Sequence, residues 1–264
     1  MKNRIEKKFT ALKAAKKKAF IAFITAGDPN LDTTHKLVLA MEQAGVDIIE
    51  LGVAFSDPLA DGPTIQAASQ RALKKGVTLA KILRLVKDLR KKTQIPIALM
   101  TYYNPVLSFG QQRFMKQTQA CGVDGIIIPD LPPEEASTII AAARIHNIAT
   151  IFFLSPTSAK ERIKRIAKVS TGFIYYVSLT GVTGARRVIS QDIIQNIRLI
   201  KRYTRKPVCA GFGISTAEHV KKISRVADGV IVGSAIVKQV EKNIGKRQLV
   251  SRVSAFVKNL SRSL

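Results

Sequence analysis

Residues 50–66 read Glu-Leu-Gly-Val-Ala-Phe-Ser-Asp-Pro-Leu-Ala-Asp-Gly-Pro-Thr-Ile-Gln, so Glu50, Asp57 and Asp61 fall in one short segment of a chain dominated by lysine and arginine. Carboxylates pass protons and stabilise developing positive charge, so this cluster marks a place where acids do chemistry. Each acid also has an ordinary reading, since a glutamate ending a strand is often a salt-bridging residue and an aspartate beside glycine or proline a turn former. A second group suits a different task. Gly211-Phe-Gly213 and Gly233-Ser234 follow apolar runs, and the latter opens a helical stretch. Glycines let backbone N–H groups approach an anion, and a helix N-terminus carries partial positive charge, so these positions suit a phosphate, with Gly184 a third backbone contact.

The elements that must carry these residues repeat along the chain. Short runs rich in β-branched and aromatic residues occur at about 19–26, 48–53, 97–102, 125–129, 150–154, 173–178, 207–211 and 229–233, separated by longer segments with apolar residues at helical spacing. Three runs follow similar phrases, Ala44-Gly-Val-Asp47, Cys121-Gly-Val-Asp124 and Val226-Ala-Asp-Gly229, where a small residue suits a helix end turning back into a strand. Eight strand-like runs alternating with helices predict a closed α/β (β/α)8 TIM barrel forming a single domain over 1–264, with an open doubly wound sheet as the rival. In a barrel, function collects at the C-terminal ends of strands, and the polar segments Thr25–Asp28, 50–61, 102–105, 129–132 and 179–184 all fall there. Before the first run, Ile5, Phe9, Leu12 and Ala15 predict an extra N-terminal basic helix with one apolar face, rather than a secretory leader.

Composition narrows the function. There are 43 Lys+Arg against 18 Asp+Glu, a net charge of +25. That suits an anionic partner or phosphorylated substrate. Nucleic acid is not expected: tryptophan is absent, aromatics are 6%, and the runs Lys16–Lys18, Arg90–Lys92 and 201–206 fall mostly on segments that read as outer helices and their ends. No stretch approaches the ~20 apolar residues of a membrane span. Two cysteines, Cys121 and Cys209, give no disulfide framework and point to a reducing cytoplasm. His35, His146 and His219 lack metal-ligand spacing, so no metal is expected.

From about Phe9 to about Val240 the sequence resembles the tryptophan synthase alpha chain family, most specifically in the 50–63 segment, with support from Phe23-Ile-Thr-Ala-Gly-Asp-Pro29, Tyr102-Tyr-Asn-Pro105, Gly181-Val-Thr-Gly184 and Gly211-Phe-Gly-Ile-Ser215. The resemblance implies a (β/α)8 barrel that cleaves indole-3-glycerol phosphate into indole and glyceraldehyde 3-phosphate. It also implies an alpha2beta2 heterotetramer with a beta subunit that receives the indole. No cofactor is implied for this chain, pyridoxal phosphate being expected only in the beta subunit. Glu50 is similar to the acid/base that serves indole C3 and the side-chain hydroxyl, and Asp61 to the carboxylate that holds the indole N–H. Because one acid must shuttle protons while the other stays ionised, their pKa values are expected to be pushed apart.

Other positions follow from the same likeness. Phe23, Met100, Ile127 and Phe212 are similar to the wall of the indole pocket. Tyr102 and Tyr175 resemble tyrosines around the substrate, and Thr183 a loop residue that closes against Asp61. Gly184, Gly213, Gly233 and Ser234 resemble the phosphate contacts. Asp57 and Pro58 resemble the loop that touches the beta subunit. The chain departs from the family pattern in having Ala54 where proline is frequent and Leu179 where some members carry arginine. A non-catalytic barrel that only activates a beta subunit would be marked by loss of Glu50 or Asp61, and both are present.

Overall fold

A computed structural model describes residues 3–177, 191–211 and 213–264. Its strands are β1 Ala19–Thr25, β2 Ile48–Gly52, β3 Ile97–Met100, β4 Gly125–Ile127, β5 Ala149–Ile151, β6 Phe153–Leu154, β7 Ile174–Val177, β8 Val208–Gly211 and β9 Gly229–Val232. Every pairing is parallel, in the order β5-β4-β3-β2-β1-β9-β8-β7-β6. The two ends of that order are one continuous piece of chain interrupted only at Phe152, whose carbonyl accepts from Tyr175 N at 3.1 Å. The sheet therefore closes on itself as a (β/α)8 barrel. The strand beyond the expected eight is β6, the second half of the expected fifth run, and closure removes the open-sheet rival.

Residues alternate between the two surfaces of the barrel wall. Ile49 and Leu51 face the helical layer, whereas Ile48 joins Ile21, Ile127, Ile151, Phe173 and Ile231 in the barrel interior. The N-terminal helix Arg4–Ala14 closes the bottom of that interior: Asn3 caps it in a capping box with Glu6, Ile5 and Phe9 are buried, and the Phe9 ring lies 5.8 Å from that of Phe173. The expected apolar stripe stops at Leu12, because the helix ends at Ala14 and Ala15, its C-cap, is exposed.

The phrases before strands carry a device beyond their glycines. Gly45 and Gly122 take the positive φ that a turn back into a strand requires, at 94° and 86°. In the third phrase Gly229 instead opens β9, where a Cβ would sit 2.7 Å from Cys209 Sγ. The shared feature is the aspartate. Asp47, Asp124 and Asp228 each donate their backbone N–H to the carbonyl of Phe20, Ile97 and Val208 respectively, at 2.9, 2.8 and 2.8 Å. Their side chains accept the N–H of those same residues at 3.0, 2.9 and 3.1 Å. Each clasp ties the start of one strand to the next and fixes the register that turns Glu50 inward.

Candidate active site

At the C-terminal mouth of the barrel, β2 presents Glu50 between Phe23 of β1 and Ala98 of β3. Glu50 is completely buried, and neither carboxylate oxygen has a hydrogen-bond partner among the described residues. A charged carboxylate in such a place is costly, so burial first, and then the negative charge of Asp61, push its pKa up to about 8. At neutral pH Glu50 is mostly a neutral acid with a proton to give.

Asp61 belongs to the turn that follows β2. Its N–H donates to Pro58 O at 3.0 Å, Gln66 Nε2 donates to its carbonyl at 2.9 Å, and Gly62-Pro63 then open the helix Pro63–Lys74. Burial raises its pKa to about 6, opposed by a hydrogen bond from the Tyr102 hydroxyl. Tyr102 is itself fixed, because its oxygen accepts Ala60 N–H at 3.0 Å and its ring lies 5.3 Å from that of Phe55. Burial and the neighbouring Asp61 hold the Tyr102 phenol well above the usual tyrosine range, so it remains a donor. The two acids are thus pushed apart in the expected sense, with Asp61 the one ionised at neutral pH.

Around these acids the wall is apolar. Phe23 packs with Ala68 and Val237, flanked by Ile65 and Met100. Its ring uses the space left by Gly52, where a Cβ would lie 2.6 Å from Phe23 Cζ. Gly211 does the same for Tyr175, whose hydroxyl would be 2.6 Å from an added Cβ. Tyr175 packs on Phe153 at 4.8 Å, and burial, then the Glu50 charge, raises its pKa. Ile127 lies in the interior cluster of the barrel, fully buried.

Ser234 is exposed at the start of the helix Ser234–Lys242, whose N-cap is Gly233 with no side-chain cap, and the first N–H groups of a helix suit an anion. Gly213 has a φ of 70° and open space around the position of a Cβ. On the loop after β2, Asp57 and Leu59 are exposed, Leu59 at 93%, whereas Pro58 is buried. Thr183, Gly184 and Phe212 lie outside the described residues.

One group was not singled out from sequence. Asp28, buried after β1, accepts both Arg71 Nε and Arg71 Nη2 at 2.8 Å, and Arg71 Nη1 donates to Glu241 at 2.8 Å. Arg71 lies on the helix that follows Asp61, and Glu241 on the helix that begins at Ser234. The bridge therefore ties the helix after the acid loop to the helix that begins at Ser234. An aspartate directly before Pro29 at a strand's end was the signal available, but its partners are distant in sequence.

The family model for the tryptophan synthase alpha chain matches residues 9–264. A tryptophan synthase alpha chain from Thermoanaerobacter sp. (strain X514) is 50% identical over 262 residues, covering 99% of this chain and 100% of the relative. The crystal structure of tryptophan synthase subunit alpha from Legionella pneumophila str. Paris superimposes with a TM-score of 0.94 at 34% identity, covering 100% of this chain and 98% of that one. A structure of the tryptophan synthase a2b2 complex from Pyrococcus furiosus matches with a TM-score of 0.87 at 41% identity, over 92% of this chain and 97% of that one.

Proposed function

The chain belongs to the tryptophan synthase alpha chain family, and from that premise we propose how its own residues carry the reaction. That reaction is a carbon–carbon lyase step of tryptophan biosynthesis, the cleavage of indole-3-glycerol phosphate to indole and glyceraldehyde 3-phosphate. Glu50 in its neutral form gives its proton to indole C3, and Asp61 accepts the ring N–H and stabilises the positive charge that develops there. The Glu50 carboxylate so formed takes the proton of the side-chain hydroxyl. The C3–carbon bond then breaks, its electron pair restoring the indole ring and the former alcohol carbon becoming the aldehyde.

One observation supports this reading above the rest: Glu50 is buried with both oxygens unpartnered among the described residues, and its pKa near 8 makes it a proton donor at neutral pH. Phe23, Ile127, Tyr102, Tyr175, Phe212 and Thr183 shape the substrate site, and Gly184, Gly213, Gly233 and Ser234 hold the phosphate. The lyase step uses no cofactor of its own, because two carboxylates of unequal pKa supply its acid and base. Indole passes to a beta subunit, where pyridoxal phosphate acts, within an alpha2beta2 assembly. Exposed Asp57 and Leu59 on the loop of Asp61 suit a protein partner at the mouth, and buried Pro58 shapes that loop. The free cysteines fit the cytoplasm, and the chain forms a single domain over 1–264. An indole-release assay on the purified chain, with and without a beta subunit, tests the proposal. Release that depends on Glu50 and Asp61 and rises with the partner supports it, and release untouched by Glu50→Gln refutes it.

A further inference from the structure

The basic run 201–206 is not used by the catalytic account, and its end lines a cavity of about 680 Å³. Gly172 and Pro207, which precede β7 and β8, also line it, so it opens at the end of the barrel opposite the mouth. Its volume is within the range of small-molecule sites. Three separate elements contribute cations: Lys13 from the N-terminal helix, Lys164 and Lys168 from the helix Lys160–Val169, and Arg205 and Lys206 from the segment before β8. The lining contains one carboxylate, Glu6, which already accepts Asn3 N–H in the capping box at 3.3 Å.

These cations differ from others on the same surface. Lys201, in the same basic run, pairs with Asp228 at 2.7 Å, and Arg162 and Arg165 share Glu134 at 2.7 and 2.8 Å. Among the described residues, Lys13, Lys164, Lys168 and Arg205 have no carboxylate within ion-pair distance. Lys206 is held in place by the carbonyls of Ser170 and Lys168, and burial together with the charge of Arg144 lowers its pKa. Like charges converging on a concavity repel one another, and a multivalent anion seated there would remove that cost.

We infer that this cavity is a second anion site, taking a compact small molecule that carries several phosphate charges. A single phosphate would engage only some of the five cations that the three elements contribute. Nucleic acid fits less well, because the five cations gather at one local concavity and do not extend along a groove that could follow a strand. The lining, moreover, contains two aromatic rings, buried Phe9 and Tyr203, too few to make a platform for successive bases.

The test is calorimetric titration of the full chain with inorganic tripolyphosphate, in the presence of saturating glycerol 3-phosphate to occupy the mouth. One equivalent should bind, more weakly as salt is added. The double variant Lys168→Glu, Arg205→Glu should lose at least about tenfold in affinity, as expected for removing charge-assisted contacts. Lys168→Gln with Arg205→Gln should weaken binding in the same direction with less disturbance of the surface. Inorganic phosphate should bind at least about tenfold more weakly than tripolyphosphate on the same grounds. Displacement by glycerol 3-phosphate, or wild-type affinity in both double variants, would overturn the site. So would equal binding of a DNA duplex regardless of these substitutions, which would reduce the effect to general surface charge.

Discussion

The aspartates at the starts of strands and the acid pair Glu50 and Asp61 at the mouth sit in opposite surroundings. At the N-terminal end, Asp47, Asp124 and Asp228 each accept a backbone N–H and each faces cations: Lys8 at 3.5 Å, Arg4 and Arg90 at 3.0 and 2.8 Å, and Lys18 and Lys201 at 3.6 and 2.7 Å. At the C-terminal end Glu50 has no partner among the described residues, and Asp61 has the hydroxyl of Tyr102. The chain has cations in abundance and sets Arg71 against Asp28 at this same end, yet among the described residues none is paired with Glu50 or Asp61. Paired acids hold strands in register, and an acid left unpaired in an apolar wall keeps its proton and can pass it on. The same chemical group is thus tied into the frame where cations and N–H groups meet it, and suited to proton transfer where they do not, with the surroundings deciding which.

The sharpest way to break this contrast is to neutralise one acid at each end. Glu50→Gln and Asp61→Asn should each lower kcat for indole release by ~10²–10⁴ while the protein stays folded. Asp124→Asn should leave kcat near wild type at temperatures well below its unfolding. Its own effect should be a loss of about 3 kcal/mol in denaturant stability, because Arg90 and Arg4 lose the buried charge they share. If Asp124→Asn abolished turnover in a fully folded protein, the division between the two ends would be wrong.

A second expectation concerns stability and pH. The folded pKa of Glu50 is raised from 4.5 to about 8 and that of Asp61 from 3.8 to about 6. A raised acid binds its proton more tightly in the folded state, so its stabilising effect is complete below the unfolded pKa and is lost as pH rises through the folded one. The mouth should therefore weaken the fold by a few kcal/mol between about pH 4 and pH 8, with Glu50 contributing most. Urea unfolding at a series of pH values measures this. In Glu50→Gln the fall should shrink to the share of Asp61, and an unchanged slope would contradict the burial of an unpaired acid.

The smallest expected effect lies on the loop of Asp61. A beta subunit that grips this loop and favours the productive arrangement by ~1.4–2.8 kcal/mol would speed indole release ten- to a hundredfold. Asp57→Ala should blunt that rise without changing release by the isolated chain. Basal activity falling as far as the stimulated rate would place Asp57 in the chemistry instead.

Much of this was readable before any coordinates. The alternation of apolar runs with helical spacing carried the barrel, because parallel strands buried on both faces are apolar throughout. The cluster of Glu50, Asp57 and Asp61 marked the place, and the resemblance of the 50–63 segment to the tryptophan synthase alpha chain family singled out Glu50 and Asp61 within it. Less was readable where function depends on residues far apart in sequence. The Asp28–Arg71–Glu241 bridge joins three segments that no local pattern connects. The phrases that contain Asp47, Asp124 and Asp228 stood out by their repetition. Their glycines drew the explanation, however, and the aspartate's reciprocal bonds to the preceding strand became visible only in three dimensions. The break at Phe152, likewise, has no signature in a run that is apolar on both sides.

The central claim is that burial and Asp61 keep Glu50 protonated at neutral pH. Infrared difference spectroscopy of wild type against Glu50→Gln, without substrate, addresses it directly. At pH 7 the wild type should show a carboxylic-acid carbonyl band that the variant lacks, and this band should be lost with a midpoint near pH 8 as a carboxylate band replaces it. A Glu50 signal already fully ionised at pH 6 would contradict the account and remove the proton donor from the mouth of the barrel.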